Sequence, residues 1–247
     1  MGTILSLTCS DSGTGDPTAV LQPLFEATES LFSLHRTDSQ ASLVNRGELQ
    51  IADTCQEFRD VLAVALSWQQ ATQGAFQPYG PRGGIDLTGI VKSWAMQQAA
   101  RALQGAGWHD WCLNVGGDVV VDGSRPGGGA WQAGIVDPDD RTQLLGAVAL
   151  RDGRTAVATS GTSERGAHIW RQSGSTITQA TVVARDIVTA DALATAVVAG
   201  GQATLGLVCR DHDVAVLAVE GDGSLLATKE FHATSSPIEA HNHAHSS

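Results

Sequence analysis

The sequence predicts an α+β fold: a single domain with a mixed or antiparallel sheet and flanking helices. Three observations predict it. Apolar residues follow helical spacing through the first hundred residues, then switch to short runs parted by Gly and Asp. Helices in front and strands behind are the pattern of an α+β chain. The 247 residues, 42% hydrophobic and 17% charged, are enough to bury a large core.

Residues 3–9 read as a strand and residues 10–17, rich in Gly, Ser, Asp and Pro, as a loop. Residues 18–34 predict a helix that Pro23 ends or kinks. Ser39 to Asn45 reads as a short capped helical turn. Thr54 and Glu57 have capping-box spacing. Behind them Phe58, Val61, Leu62, Ala65, Leu66 and Gln69 keep helical period, so 55–72 is an amphipathic helix. Val91 to Leu103 is another, ended by Gly105 or Gly107. Strands are predicted at 113–115, 119–121, 131–136, 145–150 and 154–158. Helix returns at 190–199, and closing strands are predicted at 205–210, 214–219 and 225–230. The domain is expected over 1–232. Residues 233–247, with His241, His243 and His245 alternating with small residues, are expected to be a disordered tail or a tag.

A formal net charge of −11 without a Lys/Arg cluster argues against nucleic-acid binding. No run approaches the ~20 apolar residues of a membrane span. No signal peptide precedes the first strand, so a cytoplasmic location is expected, or an extracytoplasmic one if a leader has been removed. Cys9, Cys55, Cys112 and Cys209 are scattered and read as small buried hydrophobes.

Asp191 and Thr195 stand four residues apart in a predicted helix, on one face. A carboxylate and a hydroxyl so placed can share one hard cation, for which Mg²⁺ is suited. The competing reading has Asp191 complementing the helix dipole behind a Thr189 N-cap. Thr159-Ser160-Gly161 reads as a turn whose N–H groups cradle phosphate. Lys92 follows Asp86-Leu87-Thr88-Gly89 near a helix start, as a diphosphate contact or as a solvated lysine. Gly116 and Gly117 mark a bulge or a close backbone approach, with Asp118 ordering the bend by bonding to backbone. His168 is a candidate general base, or simply a structural or exposed histidine.

In order and wording these segments resemble the ApbE family of flavin transferases. The resemblance is carried by Met1-Gly2-Thr3, by Phe32-Ser33-Leu34-His35 through Ser39, Ser42, Leu43 and Asn45, and by Gly74-Ala75-Phe76-Gln77-Pro78. It continues through residues 86–93, Asn114-Val115-Gly116-Gly117-Asp118, residues 131–135, residues 159–161, His168-Ile169 and residues 190–195. It implies a T-fold-like α+β domain with FAD in a cleft. It implies an enzyme, a Mg²⁺-dependent FAD:protein FMN transferase, which passes FMN to a Thr or Ser hydroxyl of an acceptor flavoprotein and releases AMP. Asp191 and Thr195 match the metal-binding helix, with a main-chain carbonyl near Thr88–Gly89 completing the shell. His168 matches the histidine that assists the acceptor. Met1, Ser33, Asn45 and Tyr79 match positions that line the flavin. Lys92, Gly116, Gly117, Thr159, Ser160 and Gly161 match positions that line diphosphate or adenosine.

The chain departs from the family pattern at three places. Gln77 stands for Asp, Ser93 for Gly, and His168-Ile169-Trp170-Arg171-Gln172 for His-Ile-x-Asp-Pro. Two other functions fit the same residues: a Mg²⁺-dependent FAD pyrophosphatase giving FMN and AMP, and a non-catalytic FAD-binding protein.

Overall fold

A computed structural model describes residues 3–9, 15–81, 83–162 and 175–236. The chain opens with strand β1 (Leu5–Cys9) and the helices α1 (Pro17–Phe32), α2 (Gln40–Asn45), α3 (Gln56–Ala71) and α4 (Thr88–Gly105). Strands β2 (Trp111–Val115), β3 (Asp118–Asp122), β4 (Trp131–Val136), β5 (Leu144–Leu150), β6 (Ala156–Gly161) and β7 (Ile177–Ala184) follow. The chain closes with α5 (Ile187–Asp211), β8 (Ala215–Glu220), β9 (Leu225–Ala227), α6 (Lys229–Thr234) and β10 (Ser235–Ser236).

Among the described residues seven strands form one sheet in the order β1-β2-β3-β6-β7-β8-β9, and three form a second in the order β10-β5-β4. Every strand pair among the described residues is antiparallel, which resolves the mixed-or-antiparallel expectation for them. Strand alternation divides the large sheet into two apolar faces. Val120, Ala156, Ala158, Val182, Val216 and Ala218 join a core with residues of α1, α4 and α5. Their neighbours Val119, Val121, Val157, Val183, Ala215 and Leu217 pack instead against Trp131, Ile135, Val148 and Leu150 of the small sheet. A third cluster, with Phe32 stacked on Phe58 at 5.3 Å, ties the helices to one another.

Several local expectations change. Helix α1 starts with Pro at its first turn and Asp16 capping Thr18 N at 2.9 Å, and it runs through Pro23 to Phe32. Burial of Leu21, Thr28 and Phe32 outweighs the lost proline hydrogen bond. The capping box does not form. Cys55 is the N-cap of α3, and the Thr54 hydroxyl donates backward to Ile51 O at 2.7 Å. The backbone donor at Cys55 is met by Gln40 Oε1 at 2.9 Å. Gly116 and Gly117, with φ of 63° and 97°, form a two-residue hairpin turn between β2 and β3 rather than a bulge. The Thr-Ser-Gly run lies in β6, paired with β7, and is not a turn. Strand β7 has no counterpart in the sequence reading. Cys209 is exposed, and the other three cysteines are half-buried.

The largest change concerns residues 205–210, which are helical rather than a strand. Helix ends near 199 as expected, because Gly201 has φ 67° and ψ −154°. A second helical run follows, burying Thr204, Leu207 and Val208 at helical spacing. The Ser175 hydroxyl donates to Val198 O at 2.8 Å beside the break. Among the described residues α5 is also long and apolar enough to cross a membrane by length and composition. No membrane-length run had been expected there. Most of that window is buried within the protein, and its apolar residues belong to the core. Residue 232 falls inside α6, and Ser235–Ser236 pairs with β5, so the described chain continues past the expected domain end. The histidines from 241 onward lie outside the described residues.

Gly201 occupies a backbone region that is essentially reserved for glycine. A Cβ there would also lie 3.1 Å from Ser175 Cα. Gly201→Ala is expected to destabilise the protein by about 1–3 kcal/mol, measurable by denaturant unfolding against the wild type.

Candidate active site

The buried charged residues Lys92, Asp118 and Asp191 gather where α4 and α5 meet the start of β3 and the end of β6. The hairpin turn is ordered by Asn114, whose Oδ1 accepts from Gly117 N at 3.1 Å. Asp118 is therefore not needed for the turn. It lies on the same face of β3 as Val120, toward the helices, and is 1% exposed. There it forms a buried ion pair with Lys92 of α4. Lys92 is 7% exposed, which excludes the solvated reading. The second carboxylate oxygen of Asp118 accepts from Thr159 N at 3.1 Å. Burial pushes the Asp118 carboxyl up; Lys92 opposes the shift, the Asp191 charge adds to it, and the carboxyl reaches about 7.

Asp191 and Thr195 share a face of α5, one turn apart. Asp186 is the N-cap, accepting from Thr189 N at 2.8 Å and from the Thr189 hydroxyl at 2.7 Å. The proposed Thr189 cap is thereby replaced, and Asp191 stands a full turn inside the helix, beyond the reach of a capping role. Asp191 is 4% exposed, and its Oδ2 has no hydrogen-bond partner. Such an orphaned acceptor is costly unless something else satisfies it. Thr195 Oγ1 lies 3.1 Å from Ser160 Oγ, which joins β6 to α5. A Cβ on Gly89 would lie 4.0 Å from Thr195 Cγ2 and 3.3 Å from Phe76 Cε2. Glycine at this point avoids crowding the Phe76 ring where the start of α4 lies beside Thr195. The Thr88 hydroxyl and N–H both go to Asp86 Oδ1, at 2.6 and 3.0 Å.

On the other face of β6, the Thr159 hydroxyl meets Thr181 Oγ1 of β7 at 2.9 Å. Gly161 is buried beside Gln179, whose amide donates to Val136 O at 3.0 Å.

A second group sits on the loop that leads into α4. Asn45 spends both ends of its amide on Ile85, donating to its O at 2.9 Å and accepting from its N at 2.7 Å. Ile85 also bridges Tyr79, which is 37% exposed. Ser33 O accepts from the hydroxyls of Ser39 and Ser42, at 2.6 and 3.3 Å, fixing α2 against the end of α1. Asp191, Thr195, Ser160, Thr159, Lys92 and the Thr88–Gly89 segment thus converge, with Gly116 and Gly117 exposed just before Asp118. Ser33, Asn45 and Tyr79 form the neighbouring group. Met1 and His168 lie outside the described residues. Among the described residues no cluster of three or more His, Cys, Asp or Glu side chains forms a metal site. The residue that the sequence reading undervalued is Asp118. Its signal was a carboxylate directly after a Gly-Gly hairpin turn, in a strand otherwise made of valine.

A model of the ApbE family matches residues 79–218, more than half of the chain and all of the convergent residues placed here. The chain belongs to the ApbE family. Two curated relatives are named FAD:protein FMN transferase. The protein from Rhodobacter capsulatus is 33% identical over 175 residues, 64% of this chain and 32% of that protein. The one from Vibrio cholerae is 26% identical over 148 residues, 55% of this chain and 44% of that protein. The chain therefore aligns with less than half of either relative's length. Among solved structures, the flavin transferase ApbE from Vibrio cholerae superposes with a TM-score of 0.80 at 20% identity, covering 95% of this chain and 96% of that one. The ApbE protein from Thermotoga maritima gives 0.75 at 21% identity, covering 92% and 94%. Flavinyl transferase ApbE from Pseudomonas stutzeri gives 0.77 at 19%, covering 94% and 95%. The ApbE fold thus holds across nearly the whole chain.

The electrostatics of this ApbE domain set a pH dependence. Asp118 contributes stability that is fully present below its ordinary value of 3.8 and lost as pH rises through about 7. Carbon-13 NMR of the carboxyl is expected to show that midpoint. Lys92→Met is expected to raise it and Asp191→Asn to lower it. An Asp118 midpoint that neither substitution moves would contradict the coupling.

Proposed function

We propose that this chain is a Mg²⁺-dependent FAD:protein FMN transferase. It cleaves the diphosphate of FAD, joins FMN by a phosphoester to a Thr or Ser hydroxyl of an acceptor flavoprotein, and releases AMP. The observation that carries the reading is Asp191, a buried carboxylate with an unsatisfied oxygen on the Thr195 face of α5. It occurs in a chain whose family includes relatives named for this reaction.

The donors fit Mg²⁺, which takes hard oxygen ligands. Asp191, Thr195 and a main-chain carbonyl near Thr88–Gly89 would hold the ion. When bound, it neutralises the diphosphate and stabilises the charge that develops on departing AMP. Ser160 orients the Thr195 hydroxyl through their 3.1 Å contact. The Gly116–Gly117 hairpin and the end of β6 line the phosphates and adenosine. Met1, Ser33, Asn45 and Tyr79 serve the flavin side, where Asn45 acts by holding the loop of Tyr79 in place. His168 takes the proton of the acceptor hydroxyl. The hydroxyl oxygen forms its bond to the FMN phosphorus as the bond from that phosphorus to the AMP oxygen breaks. AMP leaves with the electron pair.

The test is incubation of the protein with FAD, with and without Mg²⁺, and an acceptor peptide bearing an exposed Thr. Mass spectrometry is expected to find the FMN phosphoester on the peptide together with AMP. FMN and AMP without a modified peptide would identify the pyrophosphatase, and intact bound FAD a flavin-binding protein. Asp191→Ala is expected to lower metal-dependent turnover more than about 100-fold, beyond the 10–100-fold typical for loss of an outer partner of a metal site. Full turnover in that variant, still dependent on metal, would remove Asp191 from the metal.

A further inference from the structure

The β3–β6 ladder runs from the Val121 N–H bond to Thr155 O through Val120 with Ala156 to Val119 with Val157, and goes no further toward the hairpin. In that register the next partner for Thr159 is Gly117. Gly117 is in the hairpin turn at φ 97°, which draws it out of the ladder, and the Thr159 N–H makes no bond to the Gly117 carbonyl. The Thr159 N–H, pointing to this side, would be left without an acceptor. The Asp118 carboxylate supplies one at 3.1 Å. A carboxylate that is 1% exposed keeps its charge there only against a counter-charge, and the Lys92 ammonium provides it. The following residue, Ser160, is the one that touches Thr195.

We propose that Lys92 and Asp118 are a positioning pair, closing the β3–β6 ladder with a side chain in place of backbone, and that this rather than contact with the substrate diphosphate is the role of Lys92. The inference deepens the transferase reading and rests on it for the identity of the substrate. The structural half stands without it. Lys92 holds Asp118, Asp118 holds Thr159, and Thr159 fixes the height of Ser160 against the helix that carries Asp191 and Thr195.

The test compares wild type, K92M and the double variant K92M/D118N by amide hydrogen exchange at Thr159 in ligand-free protein, with ADP binding by calorimetry as the diphosphate probe. Measured at a pH above the raised Asp118 midpoint, K92M is expected to lower Thr159 protection about tenfold or more, because the ionised carboxylate has lost its counter-charge. The double variant is expected to recover to within about threefold of wild type in both protection and ADP affinity, since the neutral amide still accepts from Thr159 and needs no partner charge. Unchanged protection in K92M overturns the pair. A double variant that keeps protection yet binds ADP more than about tenfold more weakly makes Lys92 a phosphate contact and overturns the second half. If K92M fails to fold, the double variant alone decides: wild-type protection and affinity support the pair, and loss of either overturns it. If wild type binds neither ADP nor FAD, the transferase reading fails while the exchange comparison still decides the pair.

Discussion

A lysine and an aspartate buried against each other set the geometry around them. Neither charge is tolerable alone beneath α4 and α5, so each requires the other in place. Their meeting fixes α4 relative to β3, and the carboxylate's remaining oxygen fixes β6 as well. Buried polar groups of this kind add little net stability, but they discriminate strongly between one packing and its neighbours. Apolar contacts alone tolerate small sliding of a helix on a sheet. A charge pair and a directed hydrogen bond do not.

The sheet supplies the rest of the placement through its period of two. Ser160 faces the helices and reaches Thr195, while Thr159 turns to the opposite face and meets Thr181. One short strand end thus serves two layers. The all-antiparallel ladder brings β6 between β3 and β7, so a single hairpin tip and a single helix face meet over it.

Much of this was legible in the chain. The helical spacing of Phe58, Val61, Leu62 and Ala65 survives as the buried face of α3. The Asp191–Thr195 spacing survives as one face of α5. What failed were decisions that periodicity cannot make. Residues 205–210 are a short apolar run, and only packing against the core selects helix for them. Strand β7 was hidden because both its faces are buried, so it shows little alternation. Thr54 had the right spacing for a cap, but its hydroxyl goes back to Ile51 O, and Gln40, distant in sequence, holds the Cys55 N–H, so the helix starts one residue later. The pairing of Lys92 with Asp118 left no local trace, since neither the helix nor the strand announces its partner.

The span of chain behind these contacts has a consequence for synthesis. Asp118 reaches Thr159 across 41 residues, and Ser160 reaches Thr195 across 35. No nascent fragment that stops short of α5 contains the assembled arrangement. A ligand that recognises it therefore binds only finished molecules and, by mass action, shifts the population toward them. Occupancy of the arrangement by such a ligand would then protect the chain from proteolysis by the same free energy with which it is bound.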